Sequence, residues 1–209
     1  MEPVSLIGDK QHFFESQFHE KPIRWVRLNI YPDGGVARLK VYGEPDDGLG
    51  NEDKNSQPSN ELSALRFGGR VVTYSNAHYG NPEFILTPGR GKNMGDGWET
   101  ARRRVPGNEW IIIRLGRIGT IERLEIDTAH FKGNYPSGCS LQAALSPHLQ
   151  EEALVAQAMF WDEVLDYSDL TADSIHTFDL KKSGAVSHVK LNIYPDGGVS
   201  RVRVFGEAK

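Results

Sequence analysis

The chain repeats part of itself at a long interval, and this repeat limits how it can fold. Residues 25–44 recur as residues 188–207, with 14 of 20 positions identical. The match continues upstream at four positions with the same spacing in both copies: Leu6, Asp9, His12 and Phe14 correspond to Leu170, Asp173, His176 and Phe178. The interval is far too long for a solenoid. The sequence therefore predicts a duplicated domain, of which the first copy is present only as its C-terminal tail.

This duplication divides the chain into three parts. Residues 1–44 are the tail of the first copy, residues 45–60 are a linker rich in Gly, Asp, Asn, Ser and Pro, and residues 61–209 are the complete second copy. Two or three strands in about forty residues cannot bury a core alone. The tail must then pack on the second copy, remain poorly ordered or pair with another chain. Because its strand edges are unpaired, we expect self-association.

The repeated segment is predicted to be a β-hairpin. Val26, Leu28 and Ile30 alternate with polar residues, which is typical of a half-buried strand. Residues 31–35, Tyr-Pro-Asp-Gly-Gly, predict a turn in which a glycine takes a positive φ, and residues 36–42 form the return strand. Its repetition indicates architecture rather than catalysis.

The second copy is predicted to be all β. Short apolar runs separated by turn residues predict these strands: residues 70–75, 109–115, 120–128, 140–145, 175–180, 187–194 and 199–205. Residues 150–158 predict one short helix. Strands do not alternate with long helices, which argues against a parallel α/β sheet. We therefore expect an antiparallel β-sandwich of the jelly-roll type.

Composition excludes several partners. The chain of 209 residues has a net charge of −4 and a pI of about 6.0, which favours neither nucleic acid nor an anionic membrane. No apolar run approaches the roughly 20 residues of a membrane span, and the first residues have no signal-peptide character. The single Cys139 excludes an intrachain disulfide and fits a reducing compartment, so we expect a cytoplasmic protein.

Residues 93–104, NMGDGWETARRR, concentrate more reactive side chains than any other stretch. Asp96 and Glu99 are able to transfer protons, and the guanidinium groups of Arg102 and Arg103 match the shape of a carboxylate. The alternative is a solvated loop whose acids pair with its arginines. Its loop-like composition and the anchoring Trp98 favour a functional site.

Four segments resemble the allantoicase family: SNAHYG (75–80), PGRGKNMGDGWETARR (88–103), EIDTAHFKGN (125–134) and LNIYPDGGV (28–36 and 191–199). The resemblance covers essentially the whole chain. It implies two jelly-roll domains similar to galactose-binding modules, each with a DGWET-like and a DT-x-x-F-x-GN-like segment. This chain has one of each, so it is N-terminally truncated relative to the family pattern. Where the family commonly has Gly-His-Asp-Trp, this chain reads Gly107-Asn108-Glu109-Trp110. If that histidine transfers protons, this chain lacks it.

The resemblance implies hydrolysis of allantoate to ureidoglycolate and urea, a step of purine degradation. That reaction needs an activated water and a proton for the leaving nitrogen. Under this hypothesis Glu99 and His130 share the acid and base roles, and Asp127 orients His130. The two alternatives are a truncated, inactive family member and a β-sandwich module that binds a small ligand without chemistry.

The resemblance also implies contacts with the substrate. Arg102 and Arg103 would bind the carboxylate, while Asn76, His78 and Asn134 would contact a ureido group.

Ordinary structural roles remain open for the same residues. Asp127 would cap a loop through backbone amides, His78 and His130 would be loop histidines, and Asn134 would belong to a turn. No cofactor is evident from the sequence. Histidine and carboxylate ligands for a divalent metal are present, but no spacing holds an ion by itself, so we assign no metal ligands and keep a divalent metal as an alternative.

Overall fold

The computed structural model describes residues 3–15, 23, 26–43, 60–148 and 151–209. The chain folds as two compact units, Met1–Gly43 and Glu44–Lys209. The proposed linker, residues 45–60, lies outside the described residues except for Asn60. The division of the chain into tail, linker and complete copy stays a prediction.

The second unit consists of antiparallel strands with little helix. The strands are β1 (Arg70–Tyr74), β2 (Tyr79–Gly80), β3 (Trp98–Glu99), β4 (Glu109–Asp127), β5 (Gly138–Ala144), β6 (Asp162–Asp169), β7 (Ile175–Asp179), β8 (Val186–Tyr194), β9 (Gly198–Val199) and β10 (Arg201–Ala208). One helix, α1 (Glu151–Gln157), lies in the predicted segment, and 3-10 turns occur at Leu65–Phe67, Pro82–Leu86, Met94–Asp96 and Ala158–Phe160. The predicted all-β antiparallel class is confirmed.

Strand β4 is the central strand of the larger sheet, because it pairs with β1, β7, β8 and β10. Its first half pairs with β1 and β8, and β8 continues through β5 to β6. Its second half pairs with β10 on one side and β7 on the other. The sequence predicts two strands interrupted near residues 116–119, and this prediction is wrong. The glycines there do not form a turn; instead Gly116 and Gly119 lie so close to the Phe67 and Glu207 carbonyls that a Cβ would collide with them.

The hydrophobic core follows the alternation of the strands. In β8 the side chains of Val189, Leu191 and Ile193 are fully buried on one face, while the other face carries polar residues that are buried or half-buried. The main core combines these residues with apolar residues from both halves of β4 and from β5, β9 and β10. A second cluster (Ile112, Leu154, Ala158 and Trp161) joins α1 and the following 3-10 turn to the sheet.

Strand β6 is missing from the sequence prediction. Among the described residues it pairs with β5 alone, at the edge of the sheet, and its burial is confined to two adjacent residues, Val164 and Leu165, with Ser168 half-buried. An edge strand rich in acids lacks the apolar alternation by which strands are recognised.

The first unit forms no strand over its described residues, 3–15, 23 and 26–43. Val26, Leu28 and Ile30 are exposed by 58%, 48% and 40%, so the predicted half-buried strand is wrong. The corresponding strand of the second copy, β8, is held between β4 and β5. A strand is stabilised by hydrogen bonds to its neighbours, and β8 has one on each side.

Over the described residues, the structure contains no helix that is both long and apolar enough to cross a membrane.

Candidate active site

A small three-stranded sheet, ordered β2-β3-β9, positions Glu99. Tyr79, Glu99 and Gly198 face one another across its strands, so their side-chain positions lie on one face. Trp98 and Val199 form the opposite face and are fully buried in the core. The tryptophan thus anchors the sheet, and its neighbour Glu99 is presented on the other side.

Glu99 is held by the loop that follows β4. The Asn134 side-chain amide donates a hydrogen bond of 2.6 Å to Glu99 Oε1. The backbone of Asn134 is fixed as well, because its carbonyl accepts the Gly198 amide at 2.8 Å. Asn134 therefore connects a predicted catalytic acid to the sheet that carries it.

The ring of Phe131 fixes the same loop from below. It is fully buried, and it fills the space that a side chain at Gly198 would occupy. The ring carbons Cδ1 and Cε1 lie only 2.0 Å from an ideal Cβ at Gly198. The glycine is required here by close approach, and the neighbour of Phe131 in the chain is His130.

His130 has a defined orientation. Its φ is 73°, in the left-handed region that residues with a Cβ rarely adopt. Its Nε2 lies 2.8 Å from the Gly91 carbonyl oxygen. Since a carbonyl only accepts hydrogen bonds, Nε2 must carry the proton, and in the neutral ring Nδ1 is the atom with a lone pair. The geometry therefore makes Nδ1 the basic atom of His130.

A cavity of about 480 Å³ adjoins these groups. It is open to solvent rather than enclosed. The lining residues are Tyr79, Asn93, Met94, Gly95, His130 and Lys132. Tyr79, the partner of Glu99 across the small sheet, therefore lines the cavity together with His130, whereas Glu99 is not among the lining residues.

Asp127 has contacts other than the expected one with His130. Its Oδ1 accepts the Ala129 amide at 2.8 Å, and its Oδ2 accepts Arg90 Nε at 3.2 Å. These bonds cap the end of β4, which is the structural alternative that the sequence left open. The described bonds of the carboxylate thus hold the backbone beside His130, and the ring of His130 is oriented by Gly91 instead.

Asn76 and His78 lie beside β2, next to the segment that contains Glu99. Asn76 Oδ1 accepts the Ala101 amide at 2.7 Å, and its carbonyl accepts Trp98 Nε1 at 2.8 Å. The His78 backbone amide donates to the Glu99 carbonyl at 2.8 Å, and its ring is exposed. Asn76 therefore supports the segment, whereas the ring of His78 is accessible to a ligand.

The two arginines expected to bind a carboxylate differ sharply. Arg103 donates from Nη1 to Glu109 Oε1 at 2.7 Å and from Nη2 to the Pro106 carbonyl at 3.1 Å. Glu109, which is buried, also accepts the Ser75 hydroxyl. The guanidinium of Arg103 is therefore already used by the fold. Arg102 is exposed, and within the described part of the chain it has no ion pair.

Asp96 also stabilises the fold. Its Oδ2 accepts the Lys92 amide and Arg201 Nη2, each at 3.0 Å. Although burial opposes ionisation, these two donors hold the pKa of Asp96 below its usual value. Asp96 therefore stays ionised and paired, which makes it a poor candidate for proton transfer.

Of the residues proposed from sequence, the structure connects Glu99 with Asn134 and places Asn76 and His78 beside them. Over the described ranges, no group of three His, Cys, Asp or Glu side chains converges as metal ligands would. Sequence reasoning overlooked Tyr79 and Lys132, although both belong to segments that carried the resemblance. A tyrosine and a lysine are common on surfaces, so the pattern alone did not distinguish them.

The chain matches a family model and several curated relatives. The family model described as the allantoicase repeat matches residues 1–46 and 60–209. A curated relative from Stutzerimonas stutzeri, named a probable allantoicase, is 49% identical over 206 residues. The match covers 98% of this chain and 61% of the relative, so the chain spans less than two thirds of the relative's length.

Solved structures show the same relationship. The allantoicase of Saccharomyces cerevisiae is similar with a TM-score of 0.62 and 40% identity, over 70% of this chain and 43% of that one. The C-terminal domain of a chitobiase from Bacteroides fragilis matches 71% of this chain and 99% of its own length, with a TM-score of 0.54. At 14% identity, this second likeness shows the β-sandwich fold alone.

Proposed function

This chain belongs to the allantoicase family, and from that membership we propose that it hydrolyses allantoate to ureidoglycolate and urea. The observation that carries the proposal is that a carboxylate and an imidazole, both expected to act, are each held in a defined orientation. Glu99 is held by Asn134 at 2.6 Å, and His130 by the Gly91 carbonyl at 2.8 Å. Tyr79 lies opposite Glu99 in the small sheet and lines the cavity beside His130.

In the proposed reaction, His130 carries the proton. Water adds its oxygen to the central carbon of allantoate as the bond from that carbon to one ureido nitrogen breaks. Nδ1 of His130 takes the proton that the water loses and returns it to the departing nitrogen, so that neutral urea leaves. The hydrogen bond from Nε2 to Gly91 fixes the tautomer that this transfer requires.

Glu99 has a complementary role in this proposal. Asn134 occupies Oε1, and no bond to Oε2 occurs among the described residues. Ureido groups offer several N–H donors, and a carboxylate accepts them well. Glu99 thus orients a ureido group, and the exposed ring of His78 is a further candidate for contact with the substrate.

The carboxylate of allantoate requires a cation. Arg103 is engaged by Glu109, which leaves Arg102 after β3 and Lys132 on the cavity wall. Both are exposed and cationic, so we assign the carboxylate to these two residues. Replacing Arg102 by Lys keeps the charge and loses the planar fork, and should raise KM more than it lowers kcat.

The decisive experiment measures urea release from allantoate by the 209-residue chain, with and without EDTA. We expect release in both conditions, and at least a 100-fold loss of kcat on removal of a proton-transfer group in His130→Gln. The matched control is His148→Gln, since His148 is an exposed histidine outside the site. Equal activity of the two variants would remove His130 from the mechanism.

A second experiment tests the role of Glu99 with the variant Glu99→Gln. The amide keeps the shape but replaces an acceptor with a donor, so we expect a loss of at least 10-fold in kcat/KM. Glu207→Gln, at an exposed position in β10, is the control. A folded wild-type chain that binds allantoate without releasing urea would contradict the enzymatic proposal and favour a ligand-binding module.

Three further assignments are part of the proposal and await their own tests. Urea release that survives EDTA would support a reaction without a divalent metal. Light scattering would test self-association, and cell fractionation would test the cytoplasmic location expected from the single cysteine.

A further inference from the structure

The upstream part of the repeat forms a turn that the proposed chemistry does not use. In both copies its aspartate has a positive φ, 50° at Asp173 and 55° at Asp9. In both copies a histidine ring accepts a backbone amide, from Thr171 to His176 Nε2 at 2.9 Å and from Ile7 to His12 Nε2 at 3.1 Å. The same local structure therefore forms twice, in two different surroundings.

In the second copy this turn forms hydrogen bonds with the backbone at His130 and Phe131. The His130 amide donates to Asp173 Oδ1 at 2.8 Å, and the Asp173 amide donates to the Phe131 carbonyl at 3.3 Å. The two bonds lie on either side of a residue whose φ of 73° is costly for a side chain with a Cβ. Without such support, the His130 backbone would relax towards a commoner conformation.

The turn is itself anchored to β4. The Thr128 amide donates to the Ser174 carbonyl at 2.9 Å, and the Ser174 amide donates back to Thr128 Oγ1 at 3.0 Å. On the other side, His176 Nδ1 lies 3.3 Å from the Ile126 carbonyl. Because its Nε2 accepts the Thr171 amide, Nδ1 must be the donor. The turn is thus fixed to the strand that leads to His130.

The charges around Asp173 suit this contact. The hydrogen bond from the His130 amide, followed by the nearby charges of Lys132 and Arg90, holds the pKa of Asp173 below its usual value despite some desolvation. The carboxylate is therefore ionised at neutral pH, and an ionised acceptor binds an amide more strongly than a neutral one.

We propose that Asp173 is a positioning residue for His130, which it holds through the backbone amide so that Nδ1 faces the substrate. This inference rests on the proposed function of His130. It explains why the motif containing Asp173 and His176 lies far along the sequence from the site but in contact with it. The hydrogen bond from the His130 amide to Asp173 is here called the backbone clamp. Together with the bond between Nε2 and the Gly91 carbonyl, it holds His130 at two points.

The test compares Asp173→Ala, Asp173→Asn and Asp9→Ala in the full 209-residue chain. Alanine removes the acceptor and disfavours the positive φ, so we expect kcat to fall by about 10-fold or more with KM changed less than about 2-fold. Asparagine keeps an acceptor oxygen and tolerates positive φ, so it should restore most of kcat. Asp9→Ala, the same change in the other copy, should leave activity at the wild-type level.

Amide hydrogen exchange at His130 provides a readout that does not need turnover. Asp173→Ala should increase the exchange rate of this amide by about 10-fold or more, and Asp9→Ala should not change it. Wild-type kcat in Asp173→Ala, or equal impairment of the alanine and asparagine variants, would overturn the positioning role. If wild-type protein releases no urea, the proposed function fails, whereas unchanged exchange in Asp173→Ala would overturn the clamp itself.

Discussion

Replacing Gly198 by alanine tests how the core shapes the candidate active site. An ideal Cβ at this position lies 2.0 Å from two carbons of the Phe131 ring, where ordinary contact begins at 3.4 Å. The ring would have to move by roughly 1.4 Å, but it is fully buried and has little room. Overpacking of this kind costs about 1–3 kcal/mol. We expect the free energy of unfolding to decrease by that amount, and urea release to fall as the loop with His130 shifts.

The duplication supplies a matched control for this substitution. Gly35 occupies the same position of the first copy, in the same Pro-Asp-Gly-Gly-Val sequence, and no atom lies within 4 Å of its ideal Cβ. Neither glycine has a positive φ, so both substitutions restrict the unfolded chain alike and differ only in packing. Gly35→Ala should therefore change stability by less than about 0.5 kcal/mol.

Guanidinium chloride unfolding, followed by tryptophan fluorescence, measures the difference. Trp98, Trp110 and Trp161 lie in the second unit and report on its unfolding. If Gly198→Ala is too unstable to purify, Phe131→Leu/Gly198→Ala keeps the test open, because a smaller side chain leaves space for the new methyl group. Equal stability of Gly198→Ala and Gly35→Ala would refute the steric argument. Strict additivity of the two changes in the double variant would refute it as well.

Three further predictions concern charged and reactive groups. Burial, followed by the charges of nearby arginines, lowers the pKa of His188 from 6.5 to about 4. Because only the unfolded chain gains a proton between these values, the free energy of unfolding should fall by about 2–3 kcal/mol as the pH falls from about 6.5 to about 4. Unfolding measured at several pH values should show that His188→Gln abolishes this loss. Arg103→Gln should lower the free energy of unfolding by about 3 kcal/mol or more in denaturant, because it leaves the buried carboxylate of Glu109 unpaired. Arg102→Gln should leave stability unchanged and raise KM. Similar stabilities of the two variants would contradict a structural role for Arg103 and a substrate role for Arg102. Burial raises the pKa of Cys139 to about 12, so a thiol reagent at pH 8 should label the unfolded chain and spare the folded one; rapid labelling of native protein would refute this.

Strand alternation is the part of the fold that could be predicted from sequence. It is a local property, and β1, β5, β7 and β8 lie within two residues of the predicted ranges. The strand predictions fail where a neighbouring strand, rather than the local sequence, determines whether a strand forms. Strand β4 continues through two glycines because neighbouring backbones approach there, and β6 is a strand because β5 pairs with it. Neither partner is visible in a window of ten residues.

The candidate site was predictable by residue type but not by pairing. The segment with Glu99 stands out because it concentrates acids and arginines, and the structure places Glu99 on an accessible sheet face. The same reasoning gives Arg103 a substrate role, because its partner Glu109 becomes visible only once the loop between β3 and β4 is folded. The role of Asp173 could not be predicted for the same reason, since it accepts a hydrogen bond from the His130 amide, 43 positions away in the sequence.

The two copies of the repeat separate what a sequence determines locally from what it determines through partners. The hairpin glycine has a φ of 141° at Gly34 and 136° at Gly197, so the turn forms with or without a sheet. Leu28 and Leu191 are equivalent, yet the first is 48% exposed and the second is fully buried. Strand formation therefore depends on partners, while turn geometry does not. By this reasoning, the turn that contains Asp173 folds on its own, whereas the orientation of Glu99 requires the complete sheet. A peptide of residues 168–180 should accordingly show the turn by nuclear Overhauser contacts between Thr171 and the His176 ring, and their absence would mean that the sandwich imposes it.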